Sequence, residues 1–168
     1  MDITLTRAGR ADEVLLQNMV QLYTHDFSEY WAGTPRGALS AEGRFGDYPL
    51  EEFWWRPGWD ALLISVGDER AGFALINDVA KSGEKVDGNI AEFFVLRKHR
   101  GGGVGRTVAE MIFDARPGQW ELAVARKNLP ALAFWRRVAG SEKASRQREL
   151  DLDDEHWNGP VLRFAWSA

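Results

Sequence analysis

The sequence predicts an α/β (α+β) fold, a mixed central sheet of about six to seven strands flanked by helices. Three observations support this. Apolar residues recur at helical spacing in three separate segments. Short apolar runs bounded by turn residues fill the stretches between and after them. The order is strand–helix, strand–strand, strand–helix, strand–helix, strand–strand, which suits helices packed on one sheet. The 168 residues fit a single domain, 1–168, long enough to bury a substantial core.

Taken in order, 3–7 alternates as a short strand. From 12 to about 30, Leu15, Leu16, Met19, Val20, Leu22 and Tyr23 recur at helical spacing, with Asp12 as the expected N-cap. The stretch 31–58 is rich in Gly, Pro and aromatics and reads as loops with a short helix around 50–55. Residues 61–66 and 71–76 form two apolar strands, and Gly67-Asp68-Glu69-Arg70 supplies the turn of a hairpin. After a polar loop at 81–88, the next strand, 89–96, is apolar except for Glu92. Val104, Val108, Met111, Ile112 and Ala115 share one face of a helix over 103–115, which Arg116-Pro117-Gly118 stops. A strand follows at 120–124. Asn128 then caps a helix through Val138, with Pro130 tolerated in its first turn. Strands at about 146–152 and 161–166 close the chain.

Composition removes several function classes. With no cysteine there are no disulfides, thiolate metal sites or Cys nucleophile. The three histidines are isolated, so no spacing suggests a metal site, and Ser and His are too scattered for a hydrolytic triad. His99, beside the glycine loop, is expected in solvent. Net charge is −4 and the basic residues form no block, which argues against nucleic acid as a partner. No apolar run reaches 18 residues, so no membrane span is expected. The first residues lack a basic stretch followed by an apolar core, so a cytoplasmic protein without a signal peptide is expected.

The most informative stretch is Arg100-Gly101-Gly102-Gly103-Val104-Gly105-Arg106, between an apolar strand and an amphipathic helix. Glycines there let the backbone approach a ligand, and the helix N-terminus adds partial positive charge. Together with two arginines they suit a pyrophosphate. A Walker A loop requires Gly-x-x-x-x-Gly-Lys-Ser/Thr, but Arg106 stands at the lysine and Arg100 at the first glycine. A dinucleotide fingerprint fails at its third glycine, where Val108 or Arg106 stands. The pattern Gln/Arg-x-x-Gly-x-Gly/Ala is met by Arg100, Gly103 and Gly105.

That pattern resembles the acyl-CoA loop of the GNAT superfamily. Val95 stands where the family's strand ends in a small apolar residue, five positions before the arginine. Asn128-Leu129-Pro130-Ala131-Leu132-Ala133-Phe134-Trp135 is similar to the family's Asn-x-x-Ala-x-x-Phe-Tyr. The resemblance is close over 89–138 and rests on element order elsewhere. It implies a GNAT-like domain that moves an acetyl group from acetyl-CoA, its cosubstrate, to a primary amine of a small molecule or peptide, by direct attack in a ternary complex. By position it implies that Phe93, Phe94 and Val95 line the acetyl and pantetheine end. Arg100, Gly101, Gly102, Gly103, Val104, Gly105 and Arg106 would hold the pyrophosphate, and Asn128 the CoA arm. It leaves open a homodimer, and a non-catalytic acyl-CoA-binding module that serves as a sensor or partner domain.

An amine nucleophile must first lose a proton, and Glu92 is the leading base, being the one charge inside an apolar strand. Strand alternation places it on one face with Phe94, opposite Phe93 and Val95. A surface carboxylate or an ion-pair partner is the plainer reading of the same residue. The family's tyrosine acid is Trp135 here, and an indole cannot supply a proton at neutral pH. Either no acid is used, or Tyr23, Tyr30 or Tyr48 serves from the acceptor side. Tyr30, Trp31, Trp54 and Trp55 are the expected walls of an acceptor pocket, although such aromatics more often fill a core.

Overall fold

Burial of two apolar layers, one on each face of a single sheet, organises the chain. The computed structural model describes residues 2–168. The elements are β1 (Ile3–Arg7), α1 (Glu13–Ser28), β2 (Asp60–Val66), β3 (Glu69–Asn77), β4 (Gly88–Val95), α2 (Val104–Ala115), β5 (Gly118–Ala123), α3 (Leu129–Ala139), β6 (Ala144–Asp153) and β7 (Asn158–Trp166). All seven strands join one sheet in the order β1-β2-β3-β4-β5-β7-β6. Among the described residues only β4 and β5 pair in parallel, so the sheet is mixed, as expected.

Leu16, Met19 and Val20 of α1 pack with Leu63, Phe73, Leu75 and Phe94 on one face. Val108, Ile112 and Phe113 of α2, with Leu132, Trp135 and Val138 of α3, cover Ile90, Trp120, Leu122 and Phe164 on the other. Each such side chain stabilises the fold by about 1.5–3 kcal/mol relative to exposure.

Some boundaries depart from the sequence reading. Asp12 does not cap α1 with its side chain; its carboxylate accepts from the Gly9 N–H at 3.0 Å and closes a 3-10 turn over Arg10–Asp12. Helix α1 ends at Ser28 and continues as a 3-10 turn, Glu29–Trp31. Leu22 is 51 % exposed, on the outer side of α1. His99 lies in a 3-10 turn, Arg97–His99, with its side chain largely covered and 3.4 Å from Glu69, and not free in solvent.

Two features of β4 position everything that follows. Its pairing with β5 stops after Ile90↔Leu122, whereas its pairing with β3 runs on to Gly72↔Val95. At the same point a bulge interrupts the β3 side: Ile76 pairs with Ile90, and Leu75 pairs with Glu92. Ala91 is therefore the extra residue, and such an insertion bends and twists the strand that carries it. The two strands splay where the bulge begins.

Candidate active site

The splay of β4 from β5 opens a cleft of about 1260 Å³ running from the glycine loop past α3 to α1 and the β6–β7 turn. Among the described residues no cluster of three or more His, Cys, Asp or Glu could hold a metal, and no helix is long and apolar enough to cross a membrane.

The glycine end is built from backbone. Gly103 caps α2 with φ +88, and Gly101 has φ +81, conformations that favour glycine. A Cβ at either would meet nothing within 4 Å, so both face open space. The first N–H groups of α2 have no intrahelical acceptor and point out of the helix end. Gly105 sits against Phe134, which a Cβ there would touch at 3.4 Å. Here the residues fit an extended diphosphate. The arginine side chains are otherwise engaged. Arg100 donates to Val95 O at 2.6 Å and to Asp26 of α1 at 2.7 Å, and Arg106 pairs with Glu110 at 2.8 Å. Burial opposes ionisation of Asp26, but hydrogen bonds from Arg97 and Arg100 outweigh it and hold the carboxyl below its usual range. This clamp ties the glycine loop to α1.

Along the middle, the β5-facing backbone edge of 91–95 has no strand partner. Phe93 and Val95 point to the α2–α3 layer, and Phe94 to the α1 layer, as alternation predicts. Asn128 uses its Oδ1 to accept from Ala131 N at 3.1 Å, so the side-chain N–H groups remain for a ligand. Trp135, at 7 % exposure, packs edge-on to Phe93 with centroids 5.1 Å apart. It is principally core.

The acceptor end is built from side chains. Glu92 and Ala91 both face α1 although they are consecutive, because the bulge breaks the alternation from Ile90. Tyr23 Oη of α1 donates to Glu92 Oε2 at 2.5 Å. Burial raises the Glu92 carboxyl above its ordinary range, against the lowering effects of the Tyr23 and Tyr48 hydroxyls and the Lys81 charge. Burial, then the Glu92 charge, raises both phenols, so each remains a neutral hydrogen-bond donor. Tyr30 and Trp31 line the cleft beyond them. Trp54 and Trp55 do not: Trp54 packs against the core under α1, and Trp55 is 65 % exposed outside the cleft. Their sequence proximity to other aromatics carried no information on direction.

Sequence reasoning missed Lys81, Asp26 and Trp157, all on the cleft wall. Asp26 was legible only as a polar residue in the last turn of a helix, and Lys81 and Trp157 lie in loops with no motif.

A profile described as the Acetyltransferase (GNAT) family matches residues 16–140. Among solved structures, an acetyltransferase from Thermus thermophilus superposes with a TM-score of 0.65 at 16 % identity, over 98 % of this chain and 96 % of that one. Spermidine N-acetyltransferase from Vibrio cholerae, in complex with CoA and spermine, gives 0.59 at 15 % identity, over 96 % and 93 %. The GNAT domain of PAT from S. lividans gives 0.61 at 15 % identity, over 95 % and 87 %. No curated protein matches the sequence. The structural likenesses show the fold, and the profile spans most of the chain, which therefore belongs to the GNAT acetyltransferase family.

Proposed function

We propose that residues 1–168 act as one domain that moves an acetyl group from acetyl-CoA to a primary amine, on a small molecule or peptide, by direct attack with both substrates bound. The observation that carries this reading is Glu92, a carboxylate of raised pKa held by Tyr23 where β4 parts from β5. Acetyl-CoA supplies an activated thioester carbonyl. The N–H groups of 101–106 and the α2 N-terminus hold its diphosphate, the open edge of 91–95 pairs with the pantetheine amides, and Phe93 and Val95 wall the acyl end.

An alkylammonium, with a pKa of roughly 10, gives one proton to Glu92 and becomes nucleophilic. As the C–N bond forms and the C–S bond breaks, the nitrogen releases a second proton to solvent water and the thiolate of CoA leaves. A thiol pKa of roughly 8.5 makes that departure easy without an acid, consistent with an indole at Trp135. The same indole favours a second reading, a non-catalytic module that binds acyl-CoA.

Calorimetric titration with acetyl-CoA, beside CoA release with an amine panel, tests both. Binding at about micromolar levels that Gly103→Glu abolishes, with amine-dependent CoA release that Glu92→Gln abolishes, is expected. Circular dichroism checks that Gly103→Glu still folds. Binding without release from any amine supports the module, and absence of binding by the wild type overturns both readings.

A further inference from the structure

We infer that Lys81 holds an anionic group of the acceptor, so that the acceptor is an amine that also carries a carboxylate or a phosphate. The inference rests on the acetyltransferase reading and names the substrate class of that site.

The position of Lys81 is built and not incidental. Glu121 of β5, with 0 % exposure, accepts from Lys81 N at 2.5 Å, from Ser82 N at 3.2 Å and from Ser82 Oγ at 2.5 Å. Arg163 of β7, also buried, pairs with the same carboxylate and donates to Lys85 O at 3.2 Å. A buried ion pair adds little net stability, because desolvation offsets the attraction. What this one does is fix a polar loop, between β3 and β4, onto the sheet beside the cleft.

The Lys81 side chain is left free. Among the described residues it has no carboxylate within 4.0 Å, unlike Arg97, Arg100 and Arg106 on the same wall. Its Nζ stands 5.6 Å from the Trp157 ring centroid, within cation–π range, so the indole orients it at the acceptor end. Lys81 and Glu92 line the same cleft, and the lysine charge acts against burial in lowering the Glu92 carboxyl. An acceptor bearing only positive charge would be repelled there. An acceptor with an anion beside its amine would pair with Lys81 and present nitrogen to Glu92. Of the other carboxylates on the cleft wall, Asp26 is paired with Arg97 and Arg100, Asp154 accepts from the His156 and Trp157 N–H groups at 2.8 and 3.0 Å, Glu155 stands 3.6 Å from His156, and Glu29 follows Asp26 on the α1 side.

The test is kcat/KM on matched amines at saturating acetyl-CoA, corrected to free-base concentration. The pairs are phenylalanine against 2-phenylethylamine, β-alanine against propylamine, and O-phosphoethanolamine against ethanolamine, with 1,4-diaminobutane as the cationic arm. The first two pairs report carboxylate and the third phosphate. At least one anionic member should exceed its partner by about tenfold to a hundredfold, the worth of a hydrogen bond between charged groups. Lys81→Met should bring that ratio close to unity through the KM of the anionic member, and Lys81→Arg should keep most of it. A wild-type preference for the members that lack the anion or for the diamine, or a ratio unmoved by Lys81→Met, overturns the inference while acetyl transfer stands. Acetyl-CoA binding with no turnover of any amine overturns acetyl transfer itself, and the inference with it.

Discussion

The two ends of the cleft are made of different material. At the glycine end the backbone N–H groups face open space, set by φ values that only glycine adopts freely, and the arginine side chains on that wall are held in ion pairs. At the acceptor end the meeting groups are side chains from α1, β4, the β3–β4 loop and the β6–β7 turn. The first kind of surface recognises a shape that many ligands share. The second can be changed one residue at a time without disturbing the first. A family that keeps its cosubstrate and varies its acceptor needs that division.

Substitutions test this contrast. The largest effect is expected from Arg163→Met, which leaves Glu121 buried without its cation: roughly 3–5 kcal/mol of stability, read by urea unfolding. Next is Glu92→Gln, expected to lower kcat/KM by roughly a hundredfold or more while the acetyl-CoA Kd stays nearly constant. A comparable loss of acetyl-CoA affinity would show that the two ends are not separable.

The wild-type acid limb should lie above the ordinary carboxylate range of about 4.3, because burial raises Glu92, and Glu92→Gln should lose that limb. The same shift has a sign for stability. Between the unfolded and the raised folded value the native state holds more protons, so stability falls as pH rises through that window. Glu92→Gln should therefore gain in relative stability at about pH 7–8 and lose the gain in acid. Smaller effects come from Arg106→Ala, which removes a side chain paired with Glu110 and should change acetyl-CoA affinity by no more than about threefold. Trp55→Ala, outside the cleft, should stay within about 0.5 kcal/mol in stability and leave kcat/KM unchanged.

The same division explains what could be read from the chain. Local spacing writes helices and strands directly, so Val108 and Ile112 announced α2, and the sheet's element order was legible. The glycine loop was legible because its chemistry is contiguous, with strand, loop and helix N-terminus in one run of residues. The acceptor end was legible only in part: Tyr23, Tyr30, Trp31 and Tyr48 were named without their arrangement, and Lys81 and Trp157 were missed, because these residues line one cleft only after the sheet has formed and no short spacing records it. Trp54 and Trp55 show the converse error: neighbours of aromatic residues in the chain point elsewhere in space. Glu92 was found because a charge in an apolar strand is conspicuous. Its facing was right relative to Phe94, but the break in phase after Ile90 left no mark in the sequence.

That break in phase makes the cleft a matter of chain length. One residue too many, Ala91, bends the strand at the point where its pairing with β5 ends. Scanning β4 by substitution would not reveal it, since alanine already occupies the position. Removing Ala91 would keep Glu92 on the α1 side, make the β3 ladder regular and let β4 close on β5. The product would be a better sheet with nowhere to put a cosubstrate.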